Sequence, residues 1–292
     1  MAMTRAALLA AGRDALARAG IGEAKEEAER ILENVLKASK AALFLDAAKE
    51  VAPEAERHFL RIVEERKTRK PLAYLLGEAC FGEEILEVSD RCLIPRPETE
   101  ILVEALAKQL APEREFSFLD LGTGSGAIAI ALMRKFPLSK GTLSDISEEA
   151  LGIARRNLGR YGLENRALLK RGDLFGAFAG EEPWDVVVSN PPYLSEGDFR
   201  NLQPELAFEP RLALDGGTDG FDFYRRIIPE ARRYLKPGGF LALEAGAGQA
   251  DQVSKWLQGA GYDNILRLKD YLGFDRVVMA RINEGLNGKT YH

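Results

Sequence analysis

Cysteine and histidine are almost missing from this chain of 292 residues, which holds only Cys80, Cys92, His58 and His292. So few thiols cannot build a disulfide framework, and no Cys/His spacing suits a zinc site. Chemistry that depends on a triad histidine is excluded with them. Long apolar runs are missing too; none approaches the ~20 residues that span a bilayer. The Ala/Leu stretch at the start is cut by Arg13 and Asp14, too soon for a signal-peptide core. It reads as a first helix, and the chain as cytoplasmic with reduced thiols. Positive charge is not in excess: 40 Lys and Arg face 45 Asp and Glu, a net charge of -5. That argues against holding nucleic acid chiefly by neutralising phosphates. No heptad or extended apolar surface repeat stands out, so a monomer without membrane contact is expected. What the chain does have is ordinary for a globular protein, with 46% hydrophobic and 29% charged residues. Its length predicts about two domains.

Residues 1–70 carry helical periodicity and no convincing strand. Leu8, Leu9, Leu16 and Ala17 recur at helix spacing, and Gly20 and Gly22 end that helix. Ile31, Leu32, Val35 and Leu36 form a second stripe, Leu43 to Leu45 a third short element, and Pro53 opens a fourth helix through Phe59, Ile62 and Val63. Together they predict a small helical bundle. The basic run Arg66, Lys67, Arg69, Lys70 is either a solvated helix end or the match for an acidic partner, the former being the plainer reading. Residues 71–93 read as a linker with a β-hairpin, because Gly77 and Gly82 flank alternating apolar positions near Ile85, Leu86 and Val88. Beyond them, residues 94–282 alternate strand and helix. Short apolar runs at 116–121, 141–145, 167–172, 184–189 and 239–244 are separated by helical stretches. The pattern implies an α/β fold with an open, doubly wound, mostly parallel Rossmann-like sheet. Runs at 264–268 and 276–281 are too close for a parallel crossover and must pair antiparallel. Residues 283–292 read as a disordered tail.

Asp120-Leu121-Gly122-Thr123-Gly124-Ser125-Gly126 follows the first strand of that sheet and opens a helix. Glycines there let a ligand approach the backbone and leave amide N–H groups free at a helix N-terminus. Asp145 ends the next strand roughly 20 residues on, where an acid grips ribose hydroxyls. A nicotinamide dinucleotide and S-adenosylmethionine both carry that ribose, so loop and acid do not separate them. Asp173, past the third strand, is either an acceptor for an adenine amino group or a helix N-cap.

Asn190-Pro191-Pro192-Tyr193, at the end of a buried strand, is the most informative segment. Two prolines fix φ and remove backbone donors, leaving carbonyls that only accept. Asn190 adds a carbonyl acceptor and an amide donor. Such an array suits an NH₂ group held by both hydrogens. A carboxamide or aryl amine nitrogen is a poor nucleophile because its lone pair is delocalised. Orienting it toward a methyl donor can contribute roughly 7–11 kcal/mol, and preorganised acceptors a few more. Tyr193 would pack on the planar target or offer its π face to a sulfonium.

These segments, with Asp145-Ile146-Ser147 and Asn157, resemble S-adenosylmethionine-dependent amino-group methyltransferases of class I. Outside that core, Pro71 to Gly77, Leu93 to Glu100, Glu209 to Leu214, Gly217 to Gly220 and Leu243-Glu244 are similar to the HemK/PrmC family. The family methylates glutamine N5 in peptide chain release factors. The resemblance implies that residues 1–70 form a substrate-recognition domain, and that the target is the glutamine of a Gly-Gly-Gln motif. It places the target amide between Asn190 and Pro191, with Pro192 and Tyr193 beside it and Arg211 helping to hold the substrate. Gly122, Thr123, Gly124, Ser125 and Gly126 would cradle S-adenosylmethionine, later S-adenosylhomocysteine. Asp145 would take its ribose, Asp173 and Leu174 its adenine, with Asn190 alongside. Pro97, Glu98 and Thr99 would close the site. No metal and no general base are implied, since the methylated amide nitrogen is acidic enough to lose its proton. The competing reading is methylation of an exocyclic amine on DNA or RNA, which poses the same nucleophile problem.

Overall fold

A computed structural model describes residues 2–283 of the chain, which fall into two compact units. Most of the expected tail, residues 284–292, lies outside the described residues. Among the described residues, one unit comprises those up to Glu78 together with Gln203–Phe208, and the other comprises Ala79–Leu202 and those from Glu209 onward.

The first unit is helical: α1 (Arg5–Arg18), α2 (Ala24–Leu36), α3 (Lys40–Leu45), α4 (Pro53–Lys67) and α5 (Leu72–Leu76). Thr4 and Ser39 cap α1 and α3, each accepting from the amide three residues on. Leu8, Leu16, Ile31, Leu32, Phe59 and Val63 are buried together, as their helical spacing predicts. Gly12 lets α1 and α4 meet, because a Cβ there would strike the Phe59 ring. The segment expected to be linker begins instead with α5. The basic run has its acidic partner within the chain. Buried Arg66 binds Glu27 at 2.7 Å and Glu205 at 3.1 Å, and Arg69 binds Glu205 at 2.8 Å. Only Lys67 and Lys70 behave as a solvated helix end, paired with Glu64 and Glu65. These pairs tie Gln203–Phe208 to the helical unit.

The second unit is built on a seven-stranded sheet. In chain order its strands are β3 (Ser117–Leu121), β4 (Lys140–Asp145), β5 (Ala167–Arg171), β6 (Trp184–Ser189), β7 (Leu235–Glu244), β8 (Tyr262–Lys269) and β9 (Asp275–Ile282). They lie in the order β5-β4-β3-β6-β7-β9-β8. The first five are parallel, and β9 runs antiparallel to both β7 and β8. Strand direction alternates side chains between two apolar layers. Phe118, Val186 and Val188 join the layer of α6 (Pro97–Ala107) and α7 (Ala127–Lys135). Leu119, Leu121 and Val187 join that of α9 (Asp222–Ala231) and α10 (Ala250–Gly259). The hairpin β1 (Glu78–Phe81) and β2 (Glu84–Glu87) stands apart as its own small sheet. The reversal of strand order at β3 and β6 puts a crevice at their carboxyl ends, where open α/β sheets bind ligands.

Candidate active site

The chain leaving β3 hooks over β4: the amides of Gly122 and Thr123 both donate to the Ser144 carbonyl at 2.9 Å. Gly122 and Gly124 take φ of +71° and +55°, and a Cβ on either would meet nothing within 4 Å, because that side is open. Gly126 serves a different purpose. Its φ is +85°, and an added Cβ would face Ala154 of α8 (Glu148–Arg160) at ordinary contact distance, so it is the backbone turn rather than packing that asks for glycine. Asp145 braces the loop: its carboxylate accepts from the Gly124 amide at 3.0 Å and from the Ser147 amide at 2.9 Å. Burial raises its pKa, and the backbone donors hold it back. Asn157 locks the far side. Its amide donates to the Ser125 carbonyl at 2.9 Å and exchanges bonds with the backbone of Glu87.

Gly122, Gly124, Asp145, Asp173, Leu174, Asn190 and Pro192 line one cavity of about 290 Å³. Thr123, Ser125 and Gly126 are not on its wall. Thr123 turns inward and donates to Asp120 at 2.6 Å. Asp120 is fully buried, its other oxygen Oδ1 has no hydrogen-bond partner, and burial pushes its pKa up to about 7. Asp173 precedes a short 3₁₀ turn but makes no capping bond; its carboxylate pairs with Arg226 at 2.6 Å. The N-cap expectation is thereby corrected. Leu174 follows with φ of +48°, a strained value for a leucine.

Asn190 sits half-buried at the end of β6, whose Ser189 hydroxyl donates to the Leu121 carbonyl at 2.7 Å and ties the two signature loops together. The Asn190 side-chain NH₂ donates to Thr99 Oγ1 at 3.0 Å. Pro191 is buried, while Pro192 reaches the cavity. Tyr193 lies against the α9 and α10 layer. Burial and the charge of Glu244 raise its hydroxyl to about 12, so it stays protonated.

The reactive loop is strapped from outside by residues that local pattern reading missed. Gln249 donates to the Tyr193 carbonyl at 3.0 Å while accepting from the Gly246 amide at 3.0 Å. Leu194 exchanges backbone bonds with Leu214 and Gly216. Gly216 is obligatory there, since a Cβ would come within 2.8 Å of the Tyr193 Cα and 2.9 Å of the Pro192 carbonyl oxygen. Buried Glu209 accepts from the Ile94 amide at 3.1 Å and pairs with Arg96, holding the entrance of α6. Arg91, Cys92, Leu93, Leu212, Phe223 and Arg226 also line the cavity. Burial pushes the Cys92 thiol up to about 11, which makes it inert.

The expected substrate-holding Arg211 and the closing residues Pro97, Glu98 and Thr99 also lie off the cavity wall. Arg211 is exposed, paired with Asp215 at 3.0 Å and lying over the Phe199 ring at 4.9 Å. Pro97 and Glu98 open α6. Thr99 is buried behind Asn190, not across the mouth.

Comparison with known proteins agrees with this architecture. Residues 7–77 match the family described as PrmC N-terminal domain, and residues 97–208 the methyltransferase small domain. The release factor glutamine methyltransferase of Caulobacter vibrioides is 38% identical over 280 residues, covering 96% of either chain. That of Geobacter sulfurreducens is 40% identical over 268 residues, covering 91% of this chain and 93% of its own. Among solved structures, a methyltransferase from Pyrococcus furiosus shares the fold, with a TM-score of 0.52 at 22% identity over 68% of this chain and 88% of its own. No helix among the described residues is long and apolar enough to cross a membrane, and no cluster among them could hold a metal ion.

Proposed function

The chain belongs to the release factor glutamine methyltransferase family, and from that premise we propose that it moves a methyl group from S-adenosylmethionine to the N5 amide nitrogen of the Gly-Gly-Gln glutamine in a peptide chain release factor. The single observation that carries the site assignment is that Asn190 and Pro192 share one cavity with Gly122, Gly124 and Asp145. A planar amide held by Asn190 therefore faces whatever the second group binds.

The residues present fit an adenosyl cofactor. Gly122 and Gly124 form a cradle that any Cβ would fill, and Asp145 stands at the end of β4 with its carboxylate braced. Asp120 keeps an unpartnered buried oxygen beneath the same turn, suited to a cationic amino group. Asp173 and Leu174 offer a wall for the adenine. When bound, the cofactor supplies an electrophilic methyl group on a positively charged sulfur.

The chain then has three tasks. Asn190 Oδ1 and the Pro191 carbonyl accept the two amide hydrogens and aim the nitrogen lone pair along the cavity. Tyr193 stays neutral and packs beside the target. Apolar Leu174, Leu212 and Phe223 exclude water from the cavity, which strengthens each polar contact. As the C–N bond forms and the S–C bond breaks, the nitrogen becomes acidic and releases its proton to solvent, so no general base is required. The helical unit, with its tethered Gln203–Phe208 segment, is the recognition module for the release factor.

Incubating the protein with methyl-labelled S-adenosylmethionine, a release factor and total RNA and DNA tests the reading. Label should enter one glutamine-containing peptide as a single methyl increment. Label in nucleic acid with none in the release factor would overturn it.

A further inference from the structure

Glu244 ends β7 almost fully buried, and Thr99 lies in the first turn of α6, also buried. Their side chains meet: Thr99 Oγ1 donates to Glu244 Oε2 at 2.5 Å. A hydroxyl has one proton. While Glu244 is ionised that proton is committed to the carboxylate, so Thr99 Oγ1 can only accept from its other neighbour, and Asn190 Nδ2 donates to it at 3.0 Å. Carboxylate, hydroxyl and amide thus form a chain with one sense of donation. We propose that Glu244 and Thr99 are positioning residues that lock the Asn190 amide with its NH₂ turned inward, so that only its carbonyl oxygen remains for the substrate amide. The inference rests on the carboxamide methyltransferase reading and adds a cause to it.

The physical need is specific. The two ends of an asparagine amide are nearly the same size, and nothing in shape alone tells them apart. Turned over, Asn190 would present a donor to the donor NH₂ of the target glutamine, and the site would repel its substrate. An acceptor fixed behind Asn190 removes that alternative. Glu244 is suited to be the fixed end because it is almost fully buried and ends a paired strand. It sits among Arg96 and Glu98 at the α6 entrance, Arg276 on β9, Tyr193 after β6 and Tyr224 on α9, and the Tyr224 hydroxyl donates to its backbone carbonyl at 3.0 Å.

The test uses the full chain with release factor and S-adenosylmethionine, reading kcat, KM, cofactor affinity and Tm. Thr99→Ser keeps a hydroxyl and should retain kcat within about threefold of the parent. Thr99→Val strands a buried carboxylate and can fail to fold, so it is paired with Glu244→Leu; removing both partners together is tolerated far better than removing one. That double variant should keep its cofactor affinity and lose roughly 10- to 100-fold in kcat, the loss typical when a partner orienting a functional group is removed. In an Asn190→Ala background the same pair should cost nothing further, since its effect passes through Asn190. A double variant with kcat within twofold of the parent, or an equal loss in the Asn190→Ala background, overturns the proposal. A parent enzyme that fails to methylate the release factor would instead overturn the underlying activity.

Discussion

Replacing Asp120 by asparagine should stabilise the protein in mildly alkaline solution, in the absence of cofactor. Asp120 is fully buried on the α7 side of β3, with Oδ2 bonded to Thr123 and Oδ1 unpartnered. Burial raises its pKa from the ordinary 3.8 to about 7. A carboxyl that binds its proton more tightly when folded adds stability below its unfolded pKa and loses that contribution as pH rises through its folded one. Three units at about 1.4 kcal/mol each give about 4 kcal/mol across the whole range, of which about 2–3 kcal/mol falls between pH 5 and pH 8.5. Asparagine cannot ionise, and its own carbonyl can accept the Thr123 hydroxyl. Urea unfolding of parent and Asp120→Asn at several pH values measures the difference. The parent should lose ground to the variant from pH 5 to about 7 and level off above that. Glu244, also raised to about 7 by burial, titrates in both proteins and cancels. Curves that stay parallel across that interval would refute the reasoning, because they would mean Asp120 is solvated or already satisfied.

Asn190→Ala should leave cofactor affinity by calorimetry within a few-fold of the parent while lowering kcat by about 100-fold or more, the cost of losing a preorganised polar contact; equal loss of both would move Asn190 out of the transfer step. Asp145→Ala should weaken cofactor binding by about 1.5–3 kcal/mol through lost charged hydrogen bonds, and it should also speed amide exchange at Gly124 and Ser147, the two donors it holds. Unchanged affinity would remove Asp145 from the site. Gly216→Ala drives a Cβ against the Pro192 carbonyl and the Tyr193 backbone; circular dichroism should show a folded protein whose kcat falls with little change in cofactor affinity, and unaltered turnover would mean the loop yields freely.

The alternation of strand and helix, the antiparallel end and the glycine cradle were legible because each is written in neighbouring residues. Buried parallel strands are apolar runs, and a turn that needs positive φ shows its glycines. Boundaries slipped where a local signal competes with pairing. The run expected at 239–244 starts earlier, since β7 already begins at Leu235 and passes through a bulge at the step from Trp184 to Val186. Helix α6 begins at Pro97, since proline fits the first helical position. What periodicity cannot record is a polar contact between distant segments. Arg66 and Glu205 are 139 residues apart, and Thr99 and Glu244 are 145 apart. A basic helix end and a helix-opening threonine therefore looked ordinary.

A subtler sign was nevertheless present in the strands. Side chains two apart on a strand share a face, so Asp120 must point where Phe118 points, and Glu244 where Ala242 points. Both apolar neighbours belong to the layer covered by α6 and α7. An acid at the last position or last but one of a buried face breaks the alternation that stabilises the rest of the sheet, at a desolvation cost visible in both raised pKa values. Neither acid contributes to the core, and each meets a threonine from the segment crossing above it, Thr123 for Asp120 and Thr99 for Glu244. The two violations therefore mark the positions where the carboxyl edge of the sheet gives up packing in order to orient a loop: one steadies the cofactor turn, the other the asparagine that faces it.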